Sequence, residues 1–412
     1  MALLGDILFP DAITHDYFTQ EMGGRLDVET NQDSINITMQ GRASDYDRMV
    51  DILRGALVTT PLSVENVTAF RAARLKALAG AKSSPADVAD RLIAERLMGS
   101  FPYARPIGGS VESLTRTERP DLMLAREKFL NPNNATLAII GGVDKVTAMR
   151  ALRQLLGAWR RSEQVVPATF RQPDPSDQRT LIADAPGAAT TEVRLATRGL
   201  ARSDPDYFAA TLLTVIVRDH WRSLAADPKS TLVVSQDAHI LPGMFLLKAP
   251  VDSAAAPKTL ADARTVLKSL VDSPVAPAEF DRVKSEGLAL MTRLLAPSEG
   301  MADAFMDIDT YSNETRTLPP INEQMRAWNA VTAADLQRVA TRLFREPSIV
   351  SVVVGSAEQL KTQLGPTSKI EILGEAKPKL TQPALPVKQP VPAPPKNPKP
   401  FTKDTPPLTK PD

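Results

Sequence analysis

Any chemistry in this chain must be done with few imidazoles and no thiols. The 412 residues include three histidines, His15, His220 and His239, and no cysteine. Disulfides and thiolate metal sites are therefore excluded, while the missing cysteines do not choose between reducing and oxidising compartments. The densest set of potential metal ligands is Asp6, Asp11, His15 and Asp16 near the N-terminus. Three carboxylates and an imidazole could hold a divalent cation if the fold gathered them. Pro10 separates Asp6 from the rest, however, and acids beside a helix start are ordinary dipole partners in a solvated loop. His220 and His239 stand alone in the second half, where a structural role is the simpler reading.

The elements that would position such groups are written twice. Asn134–Gly142 and Ser348–Gly355 are apolar, partly β-branched runs ending at glycine, each reading as a buried strand that meets a turn. A helical stretch precedes each, over 119–130 and 333–344, and Pro132 and Pro347 stand where a proline ends a helix. The spacing of Gly141 and Gly355 is that of a whole domain, so the chain reads as two similar halves.

Length allows two or three domains, each able to bury a core. With 49 basic and 48 acidic residues there is no electrostatic case for nucleic acid or an anionic membrane. No apolar run approaches the ~20 residues of a membrane span. The first residues, 3, 4, 7 and 8 apolar, read as an amphipathic helix stopped at Pro10, without the basic start or small-residue cleavage site of a secretory signal. A second short helix over 16–21 ends at Gly23-Gly24. Residues 25–30 and 34–39 alternate polar with apolar around Asn31-Gln32-Asp33, which predicts a hairpin with one buried face. Helices are expected over 45–57, 64–81 and 87–98, then a loop through Phe101-Pro102-Tyr103 to Gly108-Gly109.

This ordered series (helix, Gly-Gly, hairpin, helices, Phe-Pro-Tyr, helix, Asn-Pro-Asn-Asn, apolar run, Gly-Gly) resembles the M16 family of pitrilysin, insulinase and mitochondrial processing peptidase. The resemblance covers residues 1 to 365. It implies an α+β fold of two homologous domains, each a mostly antiparallel sheet with helices packed on it. The domains expected are 1–160, a linker at 161–178, 179–365, and a Pro/Lys-rich tail at 366–412 that cannot pack a core. The family places a strand or two before the first helix; the resemblance therefore implies missing N-terminal strands and a start upstream of Met1, where a periplasmic signal could lie. Otherwise the chain would be cytoplasmic.

Active members of that family carry His-x-x-Glu-His on a helix and a distant glutamate, because two imidazoles, a carboxylate base and an open position for water are all required. Aligned on Leu8-Phe9, the histidine positions fall on Ala2 and Asp6 and the glutamate on Gly5; the third ligand falls near Ala77. No metal and no catalytic residue are therefore expected in this chain. The resemblance further implies that substrate adds as a strand to Leu26, Asp27, Val28, Glu29 and Thr30, which needs only backbone groups; an ordinary edge guarded by Arg25, Asp27 and Glu29 is the plain alternative. Arg222 falls near a substrate-holding arginine of active bacterial relatives, but Ser230 or Thr231 stands where they have tyrosine.

In the second half, strands are expected at 179–183 and 191–196, a helix over 205–224 capped by Asp204, a hairpin at 230–236 and 243–249, and helices over 260–271 and 277–295. The leading expectation is a non-catalytic subunit pairing with a zinc-bearing catalytic M16 subunit, or with itself, and holding unfolded peptide. A metallopeptidase with an atypical site and a non-enzymatic peptide-binding scaffold are the competing expectations.

Overall fold

Two short helices, α1 (Ala2–Leu8) and α2 (Ala12–Gln20), open the first half on either side of Pro10. The four apolar positions of α1, Leu3, Leu4, Ile7 and Leu8, are all buried, as helical spacing requires. In this computed structural model, residues 1–80, 84–162, 170, 177–225, 231–312, 317–345, 349–366 and 369–374 are described, and residues 1–373 form one compact unit.

The alternating stretches pair as an antiparallel hairpin, β1 (Arg25–Thr30) and β2 (Ile35–Gln40), with Arg25 opposite Gln40 and Thr30 opposite Ile35. Asn31 shapes the turn: its Oδ1 accepts from the Asp33 and Ser34 amides at 2.8 and 2.7 Å. At the hairpin base a Cβ on Gly24 would lie 1.8 Å from the Gln40 carbonyl oxygen, so the two strands close only around glycine. Leu26, Val28, Ile37 and Met39 face inward onto Phe9, Phe18 and Met22. Next come α3 (Tyr46–Arg54), α4 (Val64–Gly80), α5 (Pro85–Met98), α6 (Val111–Arg116), α7 (Arg119–Phe129) and α8 (Lys145–Leu156). Ser84 and Asp87 cap α5 reciprocally, with Pro85 at its first position.

The second half contains β3 (Thr180–Asp184), β4 (Thr191–Arg198), α9 (Tyr207–Leu224), β5 (Val233–Asp237), β6 (Met244–Val251), α10 (Ala256–Asp272), α11 (Pro277–Leu295), α12 (Ser298–Thr310), α13 (Ile321–Ala330), α14 (Ala333–Leu343), β7 (Val350–Gly355), α15 (Ala357–Leu364) and β8 (Ile370–Ile372). Its sheet runs β5-β6-β4-β7-β3-β8. The β5–β6, β6–β4 and β4–β7 pairs are antiparallel, and β7–β3 and β3–β8 are parallel. The α+β class expected from the sequence is the class observed, and β8 carries the sheet past residue 365. Most of 161–178 and all of 375–412 lie outside the described residues.

Two local expectations are corrected. Within the apolar run at 348–355, Val350–Gly355 form β7, buried throughout, but the first-half counterpart forms no strand among the described residues. Residues 135–140 have no ladder partner among the described residues, and Leu137, Ile139 and Ile140 are 51%, 39% and 41% exposed. A β-branched run becomes a strand only when a neighbour completes its hydrogen bonds. Likewise α9 begins at Tyr207, with Asp206 rather than Asp204 at its cap. The Asp204 carboxylate accepts from the Asp206 amide at 2.9 Å and pairs with Arg342 of α14 at 2.9 Å, so it serves tertiary packing.

The halves follow one plan, with α3, α4, α5, α6, α7 and α8 recurring in order as α10, α11, α12, α13, α14 and α15 around corresponding hairpins. They exchange one helix each. From the first half, α5 lies on the second half's sheet, where Ala89, Leu92, Ile93 and Leu97 pack on Ala196, Leu246, Val350 and Val352. From the second half, α12 crosses to the first: Glu299 pairs with Arg25 of β1, and Asp309 accepts from the Thr136 hydroxyl.

Candidate functional site

Of the expected metal positions Ala2, Gly5, Asp6 and Ala77, only Asp6 carries a ligand atom, and it forms an ion pair from α1 to Arg74 of α4, three residues before Ala77. Asp6 Oδ1 accepts from an Arg74 guanidinium nitrogen at 2.9 Å, and its other oxygen meets Arg74 Nε. The same guanidinium also donates to the Gly108 carbonyl at 3.2 Å. Ala2 is buried and offers no ligand atom, and Ala77 is exposed on α4. Gly5 packs on the hairpin so closely that a Cβ there would sit 2.6 Å from Thr30 Oγ1. Zinc of the His-x-x-Glu-His type needs paired neutral imidazoles and a carboxylate; this site presents one carboxylate already neutralised by a fixed cation. These residues do not fit zinc.

The structure does not assemble the other candidate ligands either. His15 Nδ1 lies 3.2 Å from the Leu26 carbonyl oxygen, tying α2 to the start of β1, and its ring packs edge-on near Phe9. His220 Nε2 is 2.9 Å from Glu279 Oε1, joining α9 to α11. Among the described residues, no group of three or more His, Asp or Glu side chains could hold a metal ion.

The segment Leu26 to Thr30 is β1, and among the described residues β2 is its sole strand partner, so its outer edge carries no ladder. One acceptor on it, the Leu26 carbonyl, is already engaged by His15. Asp27 and Glu29 share the polar face with Arg25, whose guanidinium reaches both Asp27 and Glu299. Arg222 is exposed in the last turn of α9, where its carbonyl accepts from the Ala225 amide. Ser230 lies outside the described residues.

A polar cluster that residue spacing did not reveal lies where the two hairpin tips meet. Asp33, in the β1–β2 turn, accepts from Tyr103 Oη at 2.7 Å through one oxygen and approaches His239 Nδ1 at 3.0 Å with the other. Asp237 flanks the opposite ring nitrogen at 2.9 Å, and the Tyr103 ring centre is 4.5 Å from the imidazole. Burial works against the imidazolium, but Asp237 and Asp33 outweigh it and raise the His239 pKa to about 9. Burial raises the Tyr103 hydroxyl far above its ordinary range, and Asp33 adds to this. The Asp33 and Tyr103 oxygens are engaged by partners within the protein, while His239 Nε2 meets Asp237 as an ion contact without hydrogen-bond geometry. The Phe-Pro-Tyr loop was visible in the sequence; the partners of Tyr103 were not.

A model of the family described as "Peptidase M16 inactive domain" matches residues 118–286, from the end of the first half into α11. An uncharacterized zinc protease of Mycobacterium leprae is 23% identical over 137 residues, which is 33% of this chain and 31% of that protein. The chain thus spans about a third of the length of this curated relative. A protease from Helicobacter pylori superposes with a TM-score of 0.73 at 16% identity, covering 86% of this chain and 88% of the other. A peptidase M16 inactive domain from Pseudomonas fluorescens gives the same TM-score, identity and coverage. A chain of complex III2 from Candida albicans gives 0.68 at 15% identity, covering 88% and 86%. At such identities the likeness to solved structures is one of fold.

Proposed function

We propose that this chain, an M16-type protein in fold and family, works as a non-catalytic M16 subunit that helps an active partner hold extended peptide. The observation that carries the reading is the Asp6–Arg74 ion pair, which ties α1 to α4 through one expected metal position, Asp6, and a cation one turn from the other, Ala77. An arginine there opposes a dication electrostatically and leaves no base to activate water. Zinc, water and base would then belong to the partner.

Peptide holding is assigned to the outer edge of β1, Leu26 to Thr30, whose backbone groups beyond the His15 contact remain available for strand addition. Arg222 is a secondary candidate for a substrate contact. The test is direct: purify the chain alone and with proteins it captures from its native host, then measure zinc by mass spectrometry and cleavage of unfolded peptide. The expected result is no stoichiometric zinc and no cleavage by the chain alone, with both present in a complex containing a His-x-x-Glu-His subunit. Stoichiometric zinc in the isolated chain, removed by chelator together with activity, would overturn the proposal. A captured partner without that motif would point instead to a scaffold.

A further inference from the structure

The outer edge of β1 is left free by the repeat itself, since the corresponding strand of the second half, β5, is likewise the outermost of its six-stranded sheet among the described residues. Alternation decides which backbone groups of β1 face outward. The Asn31 amide donates to the Ser34 carbonyl at 3.0 Å, which closes the turn and fixes the phase of the ladder. Arg25, Asp27 and Glu29 therefore turn their backbone groups towards β2, while Leu26, Val28 and Thr30 turn theirs away.

This edge is open along only part of its length, because α2 runs against its beginning. The Gly24 amide donates to the Phe18 carbonyl at 2.9 Å, and His15 Nδ1 lies 3.2 Å from the Leu26 carbonyl oxygen. A carbonyl can only accept, so Nδ1 carries the proton in this contact. The imidazole is steadied edge-on by Phe9, with ring centres 6.5 Å apart, and the Thr19 hydroxyl donates to the His15 carbonyl at 3.1 Å. A strand added beside Leu26 would run about 4.8 Å from β1 and set its own amide on that carbonyl, in the space the ring fills. Further along, Val28 and Thr30 present outward amides and carbonyls that take part in no hydrogen bond among the described residues.

We propose that His15 is the register stop of this edge: it denies Leu26 to an incoming strand, so that an extended peptide pairs with Val28 and Thr30. The inference rests on strand addition to β1 as the way peptide is held. His15 is thus a positioning residue, which sets where along β1 the peptide lies.

The probe is a capped, fluorescently labelled octapeptide of alternating threonine and valine, with a lysine at each end for solubility, added to the intact chain. The native protein should bind it saturably by anisotropy, with slowed amide exchange at Val28 and Thr30 and no change at Leu26. In His15→Ala the slowing should spread to Leu26, and affinity should rise about 5-fold, as one added backbone hydrogen bond allows. His15→Gln keeps a side-chain N–H donor and should restore the native pattern. A histidine that merely fastened α2 would weaken binding when removed and add no protection at Leu26. That result, an unchanged pattern and affinity in His15→Ala, or protection of Leu26 in the native protein would each overturn the register stop and leave strand addition standing. No saturable binding to any of the three proteins, or protection confined to residues outside 26–30, would overturn strand addition to β1 and the stop with it.

Discussion

His239 Nδ1 lies 3.0 Å from Asp33 Oδ2, so the tip of one half's hairpin is clasped to the tip of the other's. The imidazole is 13% exposed and the Asp33 side chain 5%, so water screens the pair little.

This clasp makes stability depend on pH in a set direction. The folded His239 pKa is raised from 6.5 to about 9. Its contribution is therefore complete below about 6.5 and is lost as pH rises through about 9. Thermal midpoints of the native chain and of His239→Gln should differ most at mildly acidic pH and converge above about pH 9. A gap that widens with rising pH would contradict the clasp.

Gly24 gives a steric prediction. Gly24→Ala forces a methyl group against the Gln40 carbonyl, a backbone atom that cannot rotate away. A loss of about 2–4 kcal/mol is expected in urea denaturation, with faster amide exchange in β1 and β2. Gly55→Ala is the control, because a Cβ there meets nothing within 4 Å.

Asp90 gives an electrostatic one. Burial alone would raise its carboxyl pKa, but hydrogen bonds from Lys248 and Arg194 hold it below the usual value. Asp90→Ala leaves the Arg194 side chain, 3% exposed, with Glu192 as its one remaining ion-pair partner among the described residues. A loss on the order of 2 kcal/mol is expected, and Asp90→Asn should cost less, since it keeps a hydrogen-bond acceptor. Equal costs would show that the loss comes from the charge and that the retained acceptor plays no part.

Local pattern sufficed wherever a segment's structure depends on near neighbours. The β1–β2 hairpin, α11 and β7 all follow from alternation, caps and turn formers within a few residues. The same logic failed at 135–140, because Leu137 to Ile140 have strand chemistry and no strand beside them; pairing is a tertiary property. The unsuitability of Ala2, Gly5 and Asp6 for zinc was legible from residue type alone. That Arg74 would take Asp6 was not, since nothing in α4 marks which turn faces α1. Nor could spacing join Asp33 to His239, which lie 206 positions apart and meet only because the halves dock tip to tip.

The crossed placement of α5 and α12 bears on what a break in the chain would do. Cutting the polypeptide between α8 and β3 would remove covalent continuity but leave each fragment wearing a helix that belongs to the other. The molecule is thus built like a swapped dimer whose protomers happen to be fused, and parting the halves would strip from α5 the sheet that covers Ala89, Leu92, Ile93 and Leu97. Two fragments made apart would have to find each other before that face could be covered again.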